Sequence, residues 1–201
     1  MISGVEDFLI GSETGIPLED RERWLCLEDV DFSFNELHDI DESVKLLEPI
    51  VKMDLSHNRL ADIGHHLQQL YSLYELNLSH NGIEDVDDWH TKLGNVKRLN
   101  LSGNSIRSLK GLSKLYSLEY LDLTANAIAT PEDVTPIGNL PCLEHIILRS
   151  NPVRQAVEYR TKILESFGER ASEVVNFYNH RRCCCFFLDS PNFFTIAYVL
   201  M

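Results

Sequence analysis

The sequence predicts an α/β solenoid of six coils, with a parallel sheet on the concave side, short helices or 3-10 turns on the convex side and a C-terminal capping helix. Three observations carry this expectation. One frame of apolar residues and a fixed Asn recurs along the chain. A second apolar set with helical spacing follows most copies. A last apolar stripe, spaced like one face of a helix, follows the final copy.

The frame is apolar-x-x-apolar-x-apolar-x-x-Asn-x-apolar. It begins at Leu27, Ile50, Leu73, Val96, Leu118 and Leu143, at separations of 23, 23, 23, 22 and 25 residues, and all 24 apolar slots hold apolar residues. The Asn slot holds Asn35, Asn58, Asn81, Asn104, Asn126 and Asn151. This is the leucine-rich repeat pattern. Alternation around the second and third apolar slots predicts a short strand with its leucines turned inward. Each Asn is expected where the chain turns, because its amide both donates and accepts and can satisfy buried backbone groups.

The return legs carry Ile40, Val44 and Leu47; Ile63, Leu67 and Leu70; Val86, Trp89 and Leu93; and Leu109, Leu112 and Leu115. In the longest copy Pro131 is placed to open a helix, with Val134, Ile137 and Leu140 facing the core. Ala156, Tyr159, Ile163 and Phe167 predict a capping helix over 154–168, within a cap region 154–174, that Gly168 ends. Such a cap is needed because end coils expose their cores. Residues 1–26 are expected to form an N-terminal cap or irregular segment, 27–153 the six repeats, and 175–201 a divergent, disordered tail.

Composition narrows the function. The chain has 201 residues, 44% apolar and 24% charged, with a net charge of −13. Residues 1–50 hold 14 acidic and 3 basic side chains. That balance argues against a nucleic-acid partner. No transmembrane segment and no secretory signal is visible. The cysteines form no disulfide framework, which points to a reducing, cytoplasmic setting. Cys26 and Cys142 are expected as small buried residues. The Cys183, Cys184, Cys185 run beside Arg181 and Arg182 is a weak acylation cue; the stronger reading is that this tail is not selected sequence.

No phosphate loop, nucleophile elbow or metal-ligand cluster is present, so the chain is expected to be no enzyme and to carry no cofactor and no metal. The recurring Ser33, Ser56, Ser79, Ser102, Thr124 column is read as structural, bonding local backbone. His57 and His80 fall in equivalent slots of neighbouring coils but lack further ligands for zinc. The candidate partner-binding face is the outward row of the strands: Lys52, Asp54, Glu75, Asn77, Arg98, Asn100, Tyr120, Asp122 and His145, joined by His57 and His80. Arg98 and Tyr120 are its expected anchors.

The repeat length, the terminal Asn151-Pro152 and the Tyr159-Arg160 cap resemble the phosphatase-regulator-like, 22-residue class of leucine-rich repeats. The stretches HTKLGNVKRLNLSGN (90–104), GLSKLYSLEYLDL (111–123), IGNLPCLEH (137–145) and YRTKILESFGERASEV (159–174) are more specific. They resemble the repeat domain of the nischarin-like family of imidazoline-receptor-like scaffolds. That resemblance implies a cytoplasmic signalling scaffold, with an integrin cytoplasmic tail, a Rac-family GTPase or a kinase as partners and a role in cell migration. The family sets a phosphoinositide-binding PX domain ahead of its repeats. The sequence is therefore expected to be a fragment or short isoform, with endosomal association only where a lipid-binding domain exists in the full-length protein. The alternative is a phosphatase-targeting regulatory subunit.

Overall fold

The computed structural model describes residues 27–172 and Val174. The segments 1–26 and 175–201, with the expected N-terminal cap, tail, Cys26 and cysteine triplet, lie outside the described residues. Six three-residue strands form one parallel sheet in sequence order: β1 (Asp29–Asp31), β2 (Lys52–Asp54), β3 (Glu75–Asn77), β4 (Arg98–Asn100), β5 (Tyr120–Asp122) and β6 (His145–Ile147). Each strand is in register with the same frame positions of the next, so Glu75 faces Arg98 and Arg98 faces Tyr120.

The frame explains the core. Its apolar slots are buried throughout, except Leu27 and Val30, which are half-buried and pack against the core. The return legs are tighter than an α-helix in most coils: Glu42–Leu47, His66–Gln69, Lys110–Leu112, Pro131–Asp133 and Thr135–Ile137 are 3-10 segments. Only α1 (Trp89–Lys92) makes an α-helical turn there. Pro131 takes the first position of its segment, and Thr130 and Asp133 cap it reciprocally, Thr130 N–H donating to Asp133 Oδ2 at 2.8 Å. Gly111 has no room for a side chain, since a Cβ there would stand 1.7 Å from the Val86 carbonyl oxygen of the preceding coil.

Trp89 is fully buried and donates its indole N–H to Asp62 Oδ1 at 3.2 Å, while Lys92 Nζ reaches Asp62 Oδ2 at 2.6 Å. Burial raises the Asp62 carboxyl, but the Lys92 ammonium and the Ile63 and Gly64 amides outweigh it and hold the group below its ordinary 3.8. Its stabilising contribution is complete above the ordinary carboxylate range and disappears as pH falls through the lowered value. Asp62→Asn should cost about 1 kcal/mol near neutral pH, because the carboxylate is half exposed. The difference from the parent should close in acid, as followed by urea unfolding at a series of pH values.

The C-terminal cap differs from the expectation of one helix over 154–168. Pro152–Gln155 is a 3-10 turn, Glu158 turns left-handed at φ 56°, and only then does α2 (Tyr159–Ser166) begin. Ala156 therefore lies outside the helix. The reason is local: Val153 must dive into the core to complete the last frame, and the chain has to re-aim before it can lie across the coil. Ile163, Phe167 and Val174 are buried and Tyr159 half-buried against this end. Gly168–Ser172 adds a further 3-10 segment. From it Arg170 donates to the Leu140 carbonyl and, at 3.0 Å, to the Leu143 carbonyl. These groups open the last strand leg, and the cap meets their hydrogen-bonding needs.

Cys142 is exposed, contrary to expectation. It occupies the slot just before the frame, held elsewhere by Ser72, Asn95 and Ser117. Leu140 and Leu143 take the core on either side, and the slot between them points outward.

Candidate binding face

The Asn ladder fixes the position of everything on the face. Asn104 Oδ1 accepts from Ile83 N–H at 3.2 Å, and its Nδ2 donates to the carbonyls of Leu78 and Leu101, each at 3.0 Å. Asn58, Asn81, Asn126 and Asn151 make the same pair of links back to the preceding coil, to an amide through Oδ1 and to a carbonyl through Nδ2. Asn35 donates within its own turn, to the Phe32 and Ser33 carbonyls. Asn35 thus closes its own turn, and each of the other five closes its turn and clips it to the preceding coil.

To point inward, the Asn is preceded by a left-handed residue in every coil: Phe34, His57, His80, Gly103, Ala125 and Ser150 have φ between 54° and 71°. Only glycine adopts this freely; other residues lose about 1–2 kcal/mol there. His57 and His80 are therefore turn residues beyond the strand ends rather than residues of the sheet face. Phe34 was not among the expected site residues. Its equivalence to His57 and His80 in the frame was the available signal.

Two rows of strand side chains form the concave surface. In the first, Lys52 Nζ stands 4.0 Å from Asp29 Oδ1, and Arg98 Nε stands 3.5 Å from Glu75 Oε2. The Arg98 guanidinium lies 4.5 Å from the Tyr120 ring centre, and Tyr120 meets His145 in a tilted contact at 6.1 Å. Burial, and after it the Asp122 charge, pushes the Tyr120 hydroxyl above its ordinary value against the opposing Arg98, so it remains a protonated donor. In the second row Asn77 Nδ2 donates to Asp54 Oδ2 at 2.8 Å. Asp31, Asp54, Asn77, Asn100 and Asp122 each accept from the backbone amide two residues on. That amide belongs to the Ser/Thr column, so the recurring bond there is made by backbone N–H.

The arrangement presents and holds charge. Among the described residues no group of three or more His, Cys, Asp or Glu converges as metal ligands. No helix among them is long and apolar enough to cross a membrane.

Comparison with known proteins agrees with this architecture. Residues 71–128 match the family model described as Leucine rich repeat. A leucine-rich repeat protein of Leptospira interrogans superposes with a TM-score of 0.59 at 27% identity, over 75% of this chain and 38% of its own. The internalin inlF of Listeria monocytogenes gives 0.54 at 20% identity, over 69% of this chain and 46% of its own, a likeness of fold alone. TLR13, solved as a complex with ssRNA13, gives 0.55 at 29% identity, over 60% of this chain and 18% of its own. The chain spans less than half the length of each. Six in-register strands, the Asn ladder and these likenesses together make the fold a leucine-rich repeat solenoid.

Proposed function

We propose that the chain is a protein-interaction module of a nischarin-like cytoplasmic scaffold, binding a signalling partner through the concave row Glu75, Arg98 and Tyr120. The single observation that carries this reading is the stacked, in-register row itself. Arg98 is held between the Glu75 carboxylate and the Tyr120 ring, so its planar donor fork is ordered before any partner arrives. A pre-ordered anchor loses little freedom on binding. The Glu75–Arg98 pair is roughly half exposed and weak, so a partner carboxylate can replace Glu75 at small cost. Solenoids build extended concave surfaces of this kind for recognition.

The resemblance in the 90–104 and 159–174 stretches nominates an integrin tail, a Rac-family GTPase or a kinase as the partner. The double substitution Arg98→Glu with Tyr120→Ala tests the face. Both side chains are partly exposed, so the coil should stay folded, as circular dichroism would verify. Affinity capture from cell extract with parent and variant should then lose the specific partners about a hundredfold, as expected for two central anchors. Partners that survive this change but are removed by substitutions at His65 and His66 would place binding on the convex side. Recovery of a phosphatase catalytic subunit, rather than GTPase or integrin complexes, would favour a phosphatase-targeting role.

A further inference from the structure

The left-handed turns carry a second feature, separate from the concave row. Phe34, His57 and His80 stack as one column, with ring centres 4.2 and 4.3 Å apart and planes within 10°. At one end the column is closed. The His80 ring covers Gly103 so tightly that a Cβ there would stand 2.6 Å from His80 Nδ1. At the other end no described residue covers it. One face of Phe34 rests on His57, and the residue is still 76% exposed. Ala125 and Ser150 show that the same turn needs no ring. A large aromatic ring held out in solvent, at a strained backbone position, is not required by the fold.

The surroundings of the open end select the occupant. Asp31 accepts from the amide of Ser33, the residue before Phe34, so its carboxylate is anchored to the turn that carries the ring. Asp54 follows in the next coil, and among the described residues no lysine or arginine pairs with either. In the same coil Glu28 and Asp29 are also exposed; Lys52 stands 4.0 Å from Asp29, and Arg59 is engaged by Glu36 at 2.7 Å. An exposed ring in an acidic coil suits a flat, delocalised cation. Guanidinium meets both needs, since it stacks on aromatic faces and pairs with carboxylate through its edge.

We propose that the open face of Phe34 is a docking rung for an arginine in a basic segment of a protein partner, the guanidinium lying on the ring and pairing with Asp31. The column of rings behind Phe34 keeps the rung rigid. This inference does not rest on the concave-row reading, because the rung lies on the rim of the first coil and shares no residue with Glu75, Arg98 or Tyr120.

The test uses the full chain and two fluorescein-labelled peptides of equal charge, nona-arginine and nona-lysine, with fluorescence anisotropy at physiological salt. Simple charge attraction treats the two alike. The rung predicts that nona-arginine binds about tenfold more tightly, within the range of cation–π strengths at partly desolvated sites. Phe34→Ala, which installs the residue that Ala125 already shows to be tolerated, should abolish that preference and leave nona-lysine binding within about twofold. Phe34→Tyr should keep it. Tyr120→Ala, which damages the concave row, should leave it unchanged, so the two readings can fail separately. Equal binding of the peptides overturns the proposal, as does an arginine preference that survives Phe34→Ala. Phe34-dependent binding of a single-stranded oligouridylate without any arginine preference overturns it in favour of a nucleobase ligand.

Discussion

Phe167→Ala should destabilise the protein by about 3–5 kcal/mol, the cost of deleting a buried aromatic ring. Phe167 is 4% exposed at the end of α2, beside Ile163 and Val174 on the last coil. The coil cannot close over the gap by moving the helix inward. Gly138 already touches the helix end, and a Cβ on it would stand 2.2 Å from the Ser166 carbonyl oxygen. The loss should also spread, because each coil is stabilised by its neighbours and the terminal one has a neighbour on one side only. Urea unfolding followed by far-ultraviolet circular dichroism checks this. An unchanged midpoint would show that α2 does not shield the solenoid.

Asn104→Asp should be of similar size, about 3–5 kcal/mol, although it replaces one atom. The new carboxylate can still accept from Ile83 N–H. Its other oxygen, however, replaces the amide that donates to the Leu78, Leu101 and Ser102 carbonyls. Buried negative charge then faces carbonyl oxygens, with no donor. Protonation restores one donor, so part of the loss should return in acid. Asn35→Asp is the internal control. Asn35 is half-buried and donates within its own turn, so the same change there should cost only about 1 kcal/mol, the net value of an ordinary hydrogen bond. Equal losses at both positions would mean that the ladder's links between coils carry no special weight.

The parts legible in the sequence are those set by fixed spacing. Strand register, the inward leucines and the Asn turn each follow from the position of a residue in the frame, and Val30, Met53, Leu76, Leu99, Leu121 and Ile146 do align across the sheet. Spacings of three and four could not separate a 3-10 turn from an α-helix in segments as short as Lys110–Leu112. The same ambiguity hid the restart of the chain at Glu158, since Ala156 has helical spacing from Tyr159 but lies before the left-handed residue. Cys142 is exposed because its position just before the frame, and not its residue type, decides its burial.

The concave rows were legible as rows and not as contacts. The frame places Arg98 between Glu75 and Tyr120, but stacking of its guanidinium on the ring depends on rotamers that no periodicity encodes. The aromatic column was legible in part: the frame sets His57 and His80 in equivalent slots of neighbouring coils, and their rings stack 4.3 Å apart, but Phe34 in the same slot was missed. Its slot admits Phe, His, Gly, Ala and Ser, and only Gly103 advertises a left-handed backbone in the sequence. Arg170, which ties the cap to the Leu140 and Leu143 carbonyls, falls beyond the repeats where no pattern repeats to expose it.

Photo-cross-linking reads out partner binding to the concave row. A benzophenone amino acid placed at Tyr120 and, separately, at His65 reports which side of the arc a captured partner touches. Partner should cross-link from position 120 and not from position 65. Cross-linking from 65 alone would contradict binding at the concave row.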